Sequence, residues 1–134
     1  MRPKRPLVIA IVLLVACKPP TPAQQMDSIQ SWLATAEMVG QAWLRHTTPD
    51  KYSRQTLELS RETLAQISSD LLASLPPATD SAKLDAVLLR SRVRLDQMAR
   101  LIESKNSPDF RRQLDSLAAD KKIVEQISDG MPKQ

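Results

Sequence analysis

The chain has 134 residues, enough for about one domain, with 19 basic and 15 acidic residues and a formal net charge of +4. It contains one histidine, one cysteine and two glycines, and aromatic residues make up only 3% of it. This composition excludes a disulfide within the chain and argues against glycine-rich oxyanion loops and against metal sites built from several histidines or cysteines.

The first sixteen residues have the pattern of a secretory signal peptide. Arg2, Lys4 and Arg5 form a positive segment, and ten uninterrupted apolar residues follow at 7–16. As a helix, that segment would be about 15 Å long, half of the roughly 30 Å hydrocarbon core of a bilayer. It is therefore predicted to be a cleaved signal peptide and not a permanent membrane span.

The apolar segment ends in Leu14, Val15, Ala16 and Cys17, in that order. This aliphatic, variable, small and cysteine sequence resembles the lipobox of bacterial lipoproteins. The resemblance implies cleavage before Cys17, a lipid (diacylglycerol and palmitate) on its thiol and amine, and a stable membrane anchor. Lys18, where Asp would favour the inner membrane, favours the outer membrane facing the periplasm; the inner membrane and the cell surface are the alternatives.

Cleavage would change the charge of the chain. The segment 1–16 carries three of the 19 basic residues and none of the 15 acidic ones, so 16 basic and 15 acidic residues remain among the last 118. The basic balance therefore gives no reason to expect nucleic acid as a partner. We expect a lipidated cysteine and proline-rich tether at 17–23, a helical domain at 24–130 and a C-terminal tail at 131–134.

Four helix starts are predicted after the tether. Each has a capping residue and most have a proline beside it, the combination typical of a first helical turn. The four predicted starts are Thr21-Pro22 with Gln24 completing a capping box, Thr48-Pro49, Thr79 or Asp80, and Ser107-Pro108.

Each start is followed by apolar residues at helical spacing, and no segment alternates with a period of two. The predicted core positions are Ile29, Trp32, Leu33, Ala36, Val39, Gly40, Trp43 and Leu44; Leu57, Leu64, Ile67, Leu71 and Leu75; Leu84, Leu88, Leu95, Met98 and Ile102; and Phe110, Leu114, Leu117, Val124 and Ile127.

The predicted fold is all-α. Short connections between helices of similar length imply antiparallel neighbours and hence an up-down four-helix bundle. Because Lys121 lies on the apolar stripe of the last helix, a three-helix bundle with a loosely packed fourth helix is the alternative.

Two tryptophans lie on one face of the first helix. Trp32 and Trp43 are eleven residues apart, which brings them within about 20° of the same direction. They are predicted to be core anchors or, alternatively, an exposed aromatic surface for a partner. Gly40 lies between them, and a glycine inside a helix costs about 1 kcal/mol relative to alanine, which indicates a close approach of another helix there.

The third and fourth helices carry a concentration of arginines, in which Arg90 and Arg94 are one turn apart. One interpretation is a patch for an anionic partner, formed by Arg90, Arg94, Arg100, Arg111 and Arg112. The alternative is an exposed face of mixed charge, because Asp96 lies four residues from both Arg92 and Arg100. If the patch were an exposed docking site, replacing Arg90 and Arg94 by glutamate would leave the melting temperature unchanged.

No motif indicates catalysis, a metal or a cofactor. His46 is the only histidine, so a zinc site has no second histidine, and a serine nucleophile with His46 as its base would lack a glycine-rich oxyanion loop. Glu58 and Glu62 are one turn apart but fit an exposed charged face. We expect a non-enzyme with no metal and no cofactor beyond the lipid on Cys17.

The sequence therefore predicts a lipid-anchored envelope lipoprotein. Its helical domain would be a protein-interaction module on the periplasmic side of the outer membrane, docking another envelope protein. The alternatives are a binder of a small apolar or anionic ligand and a self-associating structural spacer. The oligomeric state stays open.

Overall fold

The structure is a computed structural model that describes residues 18–76 and 79–132. It contains four α-helices and, within these ranges, no strand: α1 Pro22–Leu44, α2 Asp50–Ser74, α3 Ser81–Glu103 and α4 Ser107–Asp129. The all-α prediction is confirmed. The predicted signal peptide, the lipobox and Cys17 lie outside the described residues.

The helices form a closed ring, in which α1 packs on α2, α2 on α3, α3 on α4 and α4 on α1. Contacts at one end show the antiparallel order. Trp43 near the end of α1 contacts Phe110 in the first turn of α4, and Asp50 at the start of α2 binds Lys105, which follows α3. The predicted up-down four-helix bundle is confirmed.

The fourth helix is closely packed and not loosely attached. A Cβ atom on Gly40 would lie 2.8 Å from Leu114 Cδ1 and 3.4 Å from the ring of Phe110, so α4 occupies the space that the glycine leaves on α1. Lys121 Nζ lies 2.8 Å from Glu37 Oε1, which joins the same two helices through a partly buried ion pair. The lysine on the apolar stripe therefore connects α4 to α1.

Two of the predicted helix starts are confirmed in detail. The Thr21 hydroxyl accepts a hydrogen bond from the backbone N–H of Gln24 at 3.2 Å, and Gln24 Oε1 accepts one from the Thr21 N–H at 3.0 Å, which completes the capping box. Asp80 caps α3 by accepting a bond from the Lys83 N–H at 3.1 Å. Because α1 begins at Pro22, the last two residues of the predicted tether at 17–23 are helical.

The other two starts differ from the prediction by one residue. Pro49 is the N-cap of α2 and makes no side-chain cap; the Thr48 hydroxyl instead hydrogen-bonds the Ser53 hydroxyl at 2.8 Å. Asn106, and not Ser107, caps α4, and its Oδ1 accepts a bond from the Asp109 N–H at 3.1 Å. An asparagine is as good a cap as a serine, so the residue types alone did not decide between them.

Two helices are followed by a left-handed residue that is not glycine. His46 after α1 and Lys105 after α3 have φ of 59° and 55°, in the left-handed region that glycine usually occupies. The following N–H groups, of Thr47 and Asn106, bond back to the carbonyls of Ala42 and Leu101, which is the Schellman pattern. Both of these ends lie at the end of the bundle that contains Asp50.

The predicted core positions are all buried or packed against buried neighbours. The structure adds apolar residues that the stripes left out, namely Met26, Val87, Ala99 and Met131. Met131 was expected in a C-terminal tail, but it is only 9% exposed and belongs to the core cluster.

Small polar residues complete the interior. Ser53, Ser60, Ser68 and Ser91 are buried, and each hydroxyl donates to the carbonyl four residues earlier in its own helix. This local bond satisfies the hydroxyl without a partner from another helix. A serine on the buried stripe of α2 or α3 is therefore compatible with the core, and its small side chain leaves room for the neighbouring helix to approach.

Candidate functional site

The arginines predicted as one patch occupy several different environments. Arg90 and Arg94, on the side of α3 that faces α4, both bind Asp120. Arg100 binds Asp96 on its own helix at 3.1 Å, and Arg112 binds Asp109. Arg111 is exposed and has no ion pair among the described residues. Four of the five side chains are thus paired with carboxylates of the chain itself, and Arg100 and Arg112 line one pocket with Gln113, which Arg94 also contacts.

Asp120 is the centre of the polar contact between α3 and α4. Its side chain is only 3% exposed. Oδ1 accepts a hydrogen bond from Arg90 Nε at 3.0 Å, and Oδ2 accepts one from Arg94 Nε at 2.7 Å. The Ser91 hydroxyl lies 3.5 Å from Oδ2. A buried carboxylate needs paired and hydrogen-bonded neighbours, and here two guanidinium groups one turn apart supply them.

The Asp120 contact changes how Arg90 and Arg94 can be tested. Arg94 also donates from Nη1 to Gln113 Oε1 at 3.3 Å, and its side chain is 23% exposed against 44% for Arg90. Glutamates at these two positions would face a buried carboxylate. We therefore expect that double replacement to lower stability, contrary to the expectation for an exposed patch, so it cannot report on partner binding.

Both tryptophans contribute to the hydrophobic core. Trp43 is 6% exposed, its ring centroid lies 4.6 Å from that of Phe110, and its indole N–H donates to Asp50 Oδ1 at 2.8 Å. Trp32 is partly buried and packs against the core cluster. Of the two interpretations, the core anchor describes Trp43, and the two residues do not form an exposed aromatic surface.

A polar cluster closes the Asp50 end of the bundle. Asp50 accepts hydrogen bonds from the Lys105 ammonium at 2.8 Å and from the Trp43 indole. These two bonds, of which the Lys105 bond has the larger effect, lower the pKa of Asp50 below its ordinary value of 3.8, while desolvation acts in the opposite direction. Nearby, Arg54 Nη1 lies 3.4 Å from Glu103 Oε1, and this ion pair joins α2 to α3.

A groove between α2 and α3 is the surface feature that the sequence analysis missed. It has a volume of about 760 Å³ and is open to solvent. Its lining combines apolar and charged side chains: Ala65, Leu89, Val93, Arg61, Arg92, Arg100, Glu62 and Asp96. We call these eight residues the α2–α3 groove.

The apolar part of the α2–α3 groove is half exposed to solvent. Leu89 and Val93 are 53% and 50% exposed, although they are apolar and one turn apart on α3. Neither residue belongs to the buried stripe of that helix. On a helical wheel, Leu89 and Val93 point in a different direction from the buried Leu88 and Leu95. This spacing is a sequence signal that could have identified them as an outward-facing apolar pair.

Two arginines in the α2–α3 groove have unpartnered atoms. The Nε atoms of Arg61 and Arg92 are shielded from solvent, and neither has a hydrogen-bond acceptor among the described residues. Asp96 lies four residues from both Arg92 and Arg100, and it binds Arg100. A shielded N–H without an acceptor is uncommon in proteins, and so these two guanidinium groups stand out from the other arginines.

Metal-ligand clusters and membrane-crossing helices were sought among the described residues. No group of three or more His, Asp or Glu side chains lies together in the described part of the chain, and His46 is exposed at the end of α1. None of the helices in these ranges combines the length and the apolar character that crossing a bilayer requires.

No protein-family model, no curated protein and no solved structure matches this chain.

The Asp120 contact predicts a specific loss of stability. We expect Asp120→Ala to lower the free energy of unfolding by about 2 kcal/mol, less than for a fully buried ion pair because Arg90 and Arg94 can reach water. Asp115→Ala, at an exposed position of the same helix, is the control and should have little effect. Urea unfolding followed by circular dichroism measures both; equal losses would contradict the role of Asp120.

The lowered pKa of Asp50 predicts a pH-dependent contribution. Because the folded state favours the carboxylate, the contribution of Asp50 is present above the ordinary pKa of 3.8 and is lost as the pH falls through the lower folded value. The stability difference between the wild type and Asp50→Asn should therefore be constant near neutral pH and disappear in strong acid. Urea unfolding from about pH 2.5 to about pH 7 measures it, with Asp70→Asn on the same helix as control; a difference that persists in acid would contradict the prediction.

Proposed function

We propose that the chain is a bacterial lipoprotein, anchored through lipidated Cys17, whose bundle is a protein-interaction module on the periplasmic side of the outer membrane. The lipobox resemblance at Leu14 to Cys17 supports the anchor, and Lys18 supports the outer membrane. The observation that supports the interaction module is the α2–α3 groove, where the half-exposed Leu89 and Val93 adjoin arginines.

Exposed apolar side chains next to arginines are a composition typical of protein interfaces. Interface cores are enriched in apolar residues and arginine, while lysine and glutamate are depleted there. Isolated exposed apolar residues are common on any surface, but Leu89 and Val93 lie one turn apart beside a groove that other side chains do not fill. This arrangement favours a partner that lies along α2 and α3.

Binding of a small ligand is less well supported. That alternative relied on the two tryptophans or on the arginines as its site. Trp43 already contacts Phe110 and hydrogen-bonds Asp50, and Arg90 and Arg94 already bind Asp120. Self-association as a spacer remains a second outcome, and sedimentation of the purified protein distinguishes it from a monomeric module.

An anchor at Cys17 would set the orientation of the module. Thr21, the cap of α1, is four residues after Cys17, a span of at most about 14 Å. The end of the bundle with Asp80 and Met131 would then face the membrane. The opposite end, with Asp50, would be about 35 Å further out, since 23 helical residues rise 1.5 Å each. The α2–α3 groove lies along the side between these two ends.

The lipid anchor is tested by replacing its acceptor. Cys17→Ser should abolish incorporation of labelled palmitate and slow processing of the precursor, because no other thiol exists in the chain. Metabolic labelling of bacterial cells that express the full chain, followed by fractionation of the membranes, measures both. Persistent labelling of Cys17→Ser would refute the lipoprotein assignment.

The docking surface is tested by cross-linking from matched positions. A photo-activatable amino acid at Leu89 should give one defined cross-linked envelope protein in cells. The same amino acid at Leu59 should not, although Leu59 on α2 is equally exposed, at 52% against 53% for Leu89. Leu59 does not line the α2–α3 groove. Equal cross-linking from both positions, or only random neighbours from Leu89, would contradict the proposed module.

A further inference from the structure

The two unpartnered arginines of the α2–α3 groove lie on different helices. Arg61 belongs to α2 and Arg92 to α3, and both line the same groove. The Nε of each is shielded from solvent without an acceptor among the described residues. A shielded Nε is also out of reach of an external acceptor, so a partner would have to bind the terminal N–H groups. Both side chains are partly exposed and neither has an ion pair among the described residues, and two parallel N–H groups of a guanidinium match a carboxylate.

The acidic residues of the α2–α3 groove do not neutralise it. Asp96 is bound to Arg100 at 3.1 Å, and Glu62 has no ion pair in the described part of the chain. Three arginines against two acids leave a formal charge of +1. An occupant with acidic side chains would complement this net charge.

The apolar side chains define the shape of the occupant. Leu89 and Val93 are one helical turn apart along α3, and Ala65 on α2 is small and leaves space opposite them. From Leu89 to Arg100 the groove follows α3 for about 17 Å, which is three helical turns. A helix lying in a straight groove of this length would place apolar residues at i, i+3 and i+4 against Leu89 and Val93.

From these observations we propose that the α2–α3 groove binds an acidic amphipathic helix of a partner protein. The apolar stripe of that helix would cover Leu89 and Val93, and its flanking carboxylates would bind the guanidinium groups of Arg61 and Arg92. The proposal rests on the interaction module proposed above and adds the chemistry of the partner.

Defined probes test this chemistry on the full chain purified in detergent. The first is a synthetic helix of about four turns with a leucine stripe flanked by glutamates, and the second has glutamine in place of each glutamate. The acidic peptide should bind at least tenfold more tightly than the glutamine peptide, and high salt should weaken its binding, because the distinguishing contacts are charged. Fluorescence anisotropy measures both affinities.

Variants of the chain assign the binding to the two arginines. Arg61→Gln and Arg92→Gln should each weaken the acidic peptide at least tenfold, whereas Arg111→Gln, at an exposed position outside the groove, should not. Arg92→Lys keeps the charge but not the two-pronged geometry and should give an intermediate affinity. Thermal melting of each variant controls for folding, since neither Arg61 nor Arg92 has an ion pair among the described residues.

Four outcomes would overturn the proposal. These are equal binding of the two peptides, an unchanged affinity in both arginine variants, stronger binding to phosphatidylglycerol vesicles than to the acidic peptide, and concentration-dependent self-association that Arg92→Gln abolishes. The cross-linking experiment at Leu89 distinguishes failure of the acidic-helix proposal from failure of the interaction module. If Leu89 cross-links a defined protein but the peptides fail, the acidic helix is wrong; if Leu89 cross-links nothing defined, the module itself is wrong.

Discussion

Gly40 is where α4 packs directly against the backbone of α1. Without a side chain at Gly40, Phe110 and Leu114 approach the backbone of α1, and α4 is held between α1 and α3. That position places the Phe110 ring against Trp43, whose indole then reaches Asp50, so the contact extends to the start of α2. Lys121 and Glu37 add an ion pair along the same α1 and α4 contact. The closed ring of four helices, and with it the polar cluster at the Asp50 end, depends on this approach.

The second constraint is the buried carboxylate of Asp120, which decides which arginines are available for binding. A carboxylate that is 3% exposed requires compensation, and Arg90 and Arg94 provide it from the adjacent helix. Arg90 and Arg94, the centre of the basic cluster in the sequence, therefore stabilise the contact between α3 and α4. The arginines whose shielded Nε lacks an acceptor among the described residues, Arg61 and Arg92, lie instead on two helices, 31 residues apart in sequence.

Much of the fold could be predicted because it depends on local chemistry. The capping box at Thr21 and the cap at Asp80 involve residues within one turn, and the buried stripes follow from helical periodicity. The errors arose where neighbouring residues compete for one role, as Asn106 and Ser107 do, or where a distant contact decides, as it does for Met131. For the candidate site, the outward phase of Leu89 and Val93 was readable, but the pairing of Arg90 and Arg94 with a residue on the next helix was not.

The sequence by itself determined four helices, their approximate ends, their apolar faces and the need for a close approach at Gly40, because each of these depends on residues within a few turns of one another. It also carries the lipobox resemblance, which is a linear pattern. Only the tertiary structure decided the partners of the charged side chains, because an ion pair such as the one between Arg94 and Asp120 joins residues 26 positions apart. The tertiary structure likewise decided that Trp43 is inside, against Phe110, and that Arg61 and Arg92 from two helices line one groove.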